Sequence, residues 1–350
     1  MSRSLKRILF TIGGAVGLLV LVALAVLLFV DVNRYKPRLE VAASDALGMD
    51  VRVGGRLGMG FFPGFHVTVE DGHILGEHGV AVASAKRARL RIDLLPLLRG
   101  EFRLRRIELT QPMLSVERNP EGRFNVERLK KAVALLGTLD GASLSLSDGT
   151  LRYADGRSGE GFEATDFDLV VSRVQLARGR SPQLLKGLSL KAELACGEIR
   201  TKDLSLSALK VSVDGKDGVF ELKPVTMRIF GGQAAGSLRA DVSGPTPLYQ
   251  VRCSLPRFRI EEFLKILSSQ KAAEGVMDFS ASLSMQGKTG SHLVQTAAGE
   301  ISLRGGDVTL VGNDPDLVLA RIESSQGLNL VDLGAVLLAG PLGLAVTKGY

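Results

Sequence analysis

Two hydrophobic patterns divide this chain. Ile8 to Val30 contains no charged residue and no Pro, and is dense in Leu, Val and Ala. About 23 residues rising 1.5 Å each span roughly 34 Å, enough to cross a bilayer's hydrocarbon core with some tilt. From Met49 the period becomes two, the mark of strands with one buried face. Leu57, Met59 and Phe61 alternate with polar or small residues, and Phe65, Val67 and Val69 follow. Leu90, Ile92 and Leu94 alternate with Arg89, Arg91 and Asp93. The alternation returns at Leu144–Leu146, Leu188–Leu194, Leu209–Val213, Val225–Ile229, Leu238–Val242 and Met277–Met285. Asp71-Gly72, Asp148-Gly149, Gly197, Asp214-Gly215, Gly231-Gly232, Gly244-Pro245 and Gly287 read as the turns between strands.

Helical spacing is rare. It predicts a helix from an Asn33 cap to about Leu47 with Gly48 as its stop, and others over Val126–Leu136, Ile260–Ala273 and Pro315–Ser325. Short helices among many strands fit caps on an open sheet better than βαβ units. The fold expected is mainly β: an N-terminal transmembrane helix, then a long curled antiparallel sheet forming an open groove, with a few short capping helices. About 25 strands at 4.7 Å spacing would make a trough of roughly 120 Å. The divisions expected are a cytoplasmic tail over 1–7, the membrane helix over 8–30, a region over 31–125, and a continuing groove over 126–350.

Composition sharpens the picture. The 41 Gly suit many turns, and the absence of Trp with only 5% aromatics leaves an apolar set that is aliphatic and small. Such a face either packs into a dry core, against a second sheet or in a barrel, or stays open to acyl chains. The candidate groove lining is Leu190, Leu194, Val211, Val213, Met227, Ile229, Leu238, Met277, Phe279 and Leu283.

Arg3, Lys6 and Arg7 before the apolar run keep the N-terminus cytoplasmic and send the rest across, although Arg34, Lys36 and Arg38 follow closely. Ala23-Leu24-Ala25 has the form of a signal-peptidase site, but cleavage there would leave an apolar stub, so an uncleaved anchor is the better reading. The net charge of +7 allows an acidic partner, lipid headgroup or nucleic acid. Export removes nucleic acid. Arg34, Lys36, Arg38, Arg89, Arg91 and Arg103 are therefore candidates for headgroup contact, against the plainer reading of a solvated strand face.

Chemistry is hard to find. Cys196 and Cys253 are too few for a disulfide framework, and either one bridge or two buried thiols fits. Gly287-Lys288-Thr289 echoes a phosphate loop, but Ser282 stands where its first Gly belongs, and a hairpin turn with no following helix is expected. His66, His73 and His78 match no zinc spacing. No G-x-S-x-G elbow occurs, and Glu261 and Glu262 suit a helix start. No catalytic residue, cofactor site or metal site is expected, and the protein is read as a non-enzyme.

Asp31-Val32-Asn33-Arg34-Tyr35-Lys36-Pro37, then Gly55-Arg56-Leu57 with Phe61-Phe62-Pro63-Gly64-Phe65, then Leu94-Leu95-Pro96-Leu97-Leu98-Arg99-Gly100-Glu101, occur in a telling order. Ile107-Glu108-Leu109, Pro112 and Arg123-Phe124-Asn125 follow, and later Gly299-Glu300-Ile301-Ser302-Leu303 and Gly305-Gly306-Asp307-Val308. This succession resembles the AsmA family of Gram-negative envelope proteins. The resemblance implies a single-pass inner-membrane protein with a periplasmic body, a long curled sheet related to chorein-like bridge proteins, and a role in phospholipid delivery or outer-membrane assembly. Its partners would be membrane phospholipids, the inner membrane and other envelope proteins. The alternative is an assembly factor for outer-membrane proteins that carries no lipid. Family members usually run on with further strands, so a chain ending at Tyr350 is expected to be either a fragment or a shortened member.

Overall fold

A computed structural model describes residues 32–62, 64–76, 79–93, 96, 99, 103–125, 141–176, 184–267 and 273–310. The expected anchor Ile8–Val30 and the helices expected at Val126–Leu136 and Pro315–Ser325 lie outside them. Among the described residues no helix is long and apolar enough to cross a membrane.

The chain enters through a 3-10 turn, Val32–Tyr35, and helix α1, Lys36–Leu47. Gly48 closes α1 in the left-handed conformation (φ 72°), donating its N–H to the Ser44 carbonyl as a C-terminal glycine commonly does. Asn33 is not the N-cap. Its Oδ1 instead accepts from the backbone N–H of Leu57 at 2.9 Å.

Strands follow at Asp50–Val53 (β1), Leu57–Gly60 (β2), His66–Leu75 (β3), Ala81–Ile92 (β4), Leu104–Arg118 (β5), Ser143–Asp155 (β6) and Gly161–Leu176 (β7). Then come Leu188–Thr201 (β8), Ser205–Lys216 (β9), Val219–Ile229 (β10), Gly232–Asp241 (β11), Leu248–Arg259 (β12), Ala273–Gln286 (β13) and Ala298–Leu310 (β14). They form one 14-stranded sheet in which β1 and then β3 to β14 are laid down in chain order, with β2 also on β3. Its ends do not pair with each other, so the sheet is open. Thirteen strands in line at about 4.8 Å spacing make it roughly 60 Å across, half the expected reach.

The shortfall has a local cause. Asp71, Asp148 and Gly197 are not turns but lie inside β3, β6 and β8. Asp71, Gln111, Asp148, Asp166 and Ala208 all have φ near +50°, and each sits where the ladder skips a pair. A left-handed residue in a strand flips the alternation and bends the strand. The apolar sequence pattern therefore breaks at each one, and single long strands resemble two short ones. Asp214-Gly215 also falls within a strand, and the turn follows at Asp217-Gly218 (φ 49° and 83°).

The sheet is antiparallel with one exception: β5 and β6 run parallel from Arg106↔Ser143 to Arg118↔Asp155. A parallel neighbour needs a crossover connection, here residues 119–142. Arg118 bonds the buried Asp155 at 3.3 Å and lies 5.7 Å from the Phe124 ring, fixing the start of that connection against the strands.

Helix α2, Ile260–Leu267, is shorter than expected, since β13 already begins at Ala273. Helix α3, Gly290–Gln295, was not expected at all. Thr289 caps it, so Gly287-Lys288-Thr289 ends a strand and opens a short helix.

The packed core lies on one face of β8 to β14, roofed by α2. Leu255 and Phe258 are fully buried. Phe258, Phe230 and Phe263 of α2 form an edge-to-face cluster with centroids 5.6 to 6.5 Å apart. Phe258→Ala is expected to cost about 3–5 kcal/mol in chemical denaturation, the usual loss at an unfilled aromatic site. Asp148→Val is expected to cost about 1–2 kcal/mol, because a β-branched residue resists the left-handed conformation, whereas Asp148→Gly is expected to be neutral or stabilising.

Candidate functional site

Paired residues on neighbouring strands put their side chains on the same face, so register shows which positions share a surface. One row runs Val67, Leu90, Ile107, Leu144, Val171, Ala192, Val213, Leu222, Leu238, Val251 and Leu283, one strand after another. A second, two residues away, runs Val69, Ala88, Leu109, Leu146, Leu169, Leu194, Val211, Val225, Gly236, Cys253 and Ala281. A third lies beyond the left-handed residues: Ile74, Ala83, Leu114, Leu151, Ala164, Ile199 and Leu206. Hydrophobic residues on either side of the bend thus face the same way. The flip that hid the strands from the sequence pattern is what keeps this face apolar on both sides.

Every expected lining residue falls on this face. Met227, Ile229, Phe279 and Leu283 are buried in the packed core, while Val211, Leu238 and Met277 are half-buried against it. Leu190, Leu194 and Val213 are half-exposed. The face therefore has two parts. From β10 to β13 the inward residues touch one another and α2. From β3 to β8 most keep partial exposure, with no second sheet over them among the described residues. Leu109, Leu146, Leu169 and Val171 extend the lining into that part. The same period-two signal marks them in the sequence, but nothing there shows which strands share a side.

The other face is polar. Arg89 and Arg91 lie on it, opposite the apolar rows, and reach Glu108 at 3.6 and 3.1 Å. Arg38 stacks over the Tyr35 ring at 6.0 Å, and the Lys36 ammonium donates to the Gly55 carbonyl at 3.3 Å. Arg34 belongs to the entering turn, and Arg103 directly precedes β5. The candidate basic residues thus gather around β1 to β5 but do not line the apolar face.

Both cysteines are free, buried and directed to the apolar side. Burial pushes the Cys253 thiol up to about 11 and also raises Cys196. Among the histidines, His66 Nδ1 lies 3.0 Å from the Gly64 carbonyl and His73 Nε2 2.9 Å from Asp71, while His78 lies outside the described residues. The Arg157 backbone N–H and the Arg118 guanidinium hold the Asp155 carboxyl below its usual range. Glu261 is likewise held low, first by its own backbone N–H, and it accepts from Gly275 to tie α2 to β13. These groups brace strand ends and helix starts.

An open, single-layer β-sheet with one continuous apolar face and one charged face defines the class. The family model of the AsmA family matches residues 1–175 and 183–331, and the chain belongs to that family. No curated protein matches it.

The Cys253 environment makes a checkable prediction. Folding holds the thiol neutral, so its contribution is complete below pH 9, the unfolded value, and declines as pH rises toward 11. Cys253→Ala is expected to lose that part of the alkaline decline in stability. Both thiols of the native protein should resist a thiol-directed dye at pH 8 and react fully in guanidinium.

Proposed function

We propose that this protein is a membrane-anchored envelope protein that carries phospholipid along its apolar face. In this reading Ile8 to Val30 anchors it in the inner membrane, with the N-terminus cytoplasmic and the sheet in the periplasm. Phospholipid passes toward the outer membrane and supports its assembly. Acyl chains lie against the rows from Val67 and Val69 onward, and headgroups remain at the wet edge of the sheet. The protein makes and breaks no bonds.

The observation that carries the reading is the in-register continuity of the apolar rows across the sheet, together with their partial exposure from β3 to β8. Contiguous exposed apolar surface beyond a few hundred Å² is rare on soluble proteins and marks a binding surface. An aliphatic stripe without Trp, running across strands, suits an extended and featureless ligand such as an acyl chain.

Leu194→Glu and Val213→Glu place a charge on the half-exposed rows, away from the packed core, where the chain should still fold. Each is expected to deplete co-purifying phospholipid in native mass spectrometry while leaving the unfolding midpoint near that of the parent. Ser212→Glu, on the polar face beside Val213, should change neither. Lipid retained by Leu194→Glu, or absent from the parent protein, would favour a scaffold that assists outer-membrane protein assembly without a cargo. Met227 is a poor site for this test, because a charge in the packed core would unfold the protein.

A further inference from the structure

Four contacts fix the direction in which the chain enters the sheet. Ser44 Oγ accepts from Val51 N–H (2.8 Å), Glu40 Oε1 from Val53 N–H (2.8 Å), and Asn33 Oδ1 from Leu57 N–H (2.9 Å), with Lys36 bonded to Gly55 between the last two. Descending helix numbers meet ascending strand numbers, so α1 runs antiparallel to β1–β2. Its N-terminal end points toward the β2–β3 turn. Val32 and Asn33, the first described residues, therefore lie toward that end of the sheet.

Phe62 projects from that turn with 90% of its surface exposed, the most exposed large hydrophobic residue described. Phe61 and Phe65 flank it with ring centroids 5.3 Å apart. Beside them on the polar face runs the row His66, Arg91, Arg106 and Ser143. Arg89, Arg91 and Arg106 share one carboxylate, Glu108, at 3.6, 3.1 and 3.4 Å. The Nε–H groups of Arg89 and Arg91 are buried without a hydrogen-bond partner among the described residues. Three guanidinium groups thus meet one carboxylate at this end, which leaves it with an excess of positive charge.

We infer that the β2–β3 end of the sheet rests on the surface of the anchoring bilayer, with Phe62 among acyl chains and Arg91 and Arg106 over anionic headgroups. An exposed aromatic side chain at a loop tip beside clustered arginines is the combination that binds an anionic membrane interface: the ring gains apolar surroundings and the cations face lipid phosphates. The inference rests on the membrane-anchor reading but not on lipid carriage. It gives the open half of the apolar face a position, beginning close to the membrane that would supply it.

The chain has no Trp, so Phe62→Trp places a single reporter at the tip. Val80→Trp, at the opposite end of β3, is the control, since Val80 is 63% exposed. Both full-length variants would be reconstituted into vesicles of phosphatidylcholine with or without phosphatidylglycerol. Phe62→Trp is expected to emit to the blue of Val80→Trp and to be quenched several-fold more strongly by brominated lipid. The difference should grow with phosphatidylglycerol, and adding Arg91→Gln and Arg106→Gln should remove that growth. Solvent-like, unquenched emission matching Val80→Trp would overturn the inference and point to a protein partner for the turn. Co-purifying phospholipid measured on the same variants separates the readings. Lipid present with the tip reporter unquenched defeats only the docking. A quenched tip reporter with lipid absent defeats only the carriage.

Discussion

A single β-layer with one hydrophobic face has no second layer to cover it, and the rest of this structure answers that constraint. Neighbouring strands hold apolar partners opposite one another across roughly 60 Å of sheet. In a flat sheet that face would stand in water along its whole length. Left-handed residues at one level of β3, β5, β6, β7 and β9 bend the strands and keep hydrophobic positions on the same side above and below the bend. From β10 to β13, α2 and the Phe230–Phe258–Phe263 cluster complete the cover.

Among the described residues the cover stops there. Inward residues of β10 to β13 form a dry core, whereas most of their counterparts in β3 to β8, Ala164 and Cys196 apart, keep contact with solvent. This difference gives the molecule a stable end and an open end, and explains how one surface can hold the fold together while leaving room for a ligand. A stripe that was dry throughout would be only a core. One that was wet throughout would have little to hold fourteen strands in register.

The polar face and the chain's entry serve orientation. Helix α1 and the turn before it are bound to β1 and β2 by side chains of Asn33, Lys36, Glu40 and Ser44, each meeting a backbone group of an edge segment. Those contacts cover backbone groups that an edge strand would otherwise leave open to another chain. At the other irregular place, the parallel pair β5–β6, the ion pair of Arg118 with Asp155 braces the point where the crossover leaves β5. The two places where the hairpin pattern is interrupted are thus both held by buried or half-buried polar side chains.

Much of this was legible in the chain itself. Period-two alternation identified a β-protein, placed most strands, and marked Leu190, Val211, Met227 and Leu283 as inward positions of their own strands, because side-chain direction within a strand depends only on local backbone geometry. The order of motifs along the chain, read apart from the alternation, pointed to the AsmA family. Other features depended on the tertiary structure. Asp148-Gly149 can close a hairpin or pass through a strand as a bulge, and only the partner strands decide which. The parallel β5–β6 pair depends on a crossover with no local signature. Whether an inward leucine is dry, as Leu206 and Leu255 are, or half-wet, as Leu194 is, depends on what other parts of the chain lay over it. Alternation says which way a side chain points, and only the assembled sheet says what it meets there.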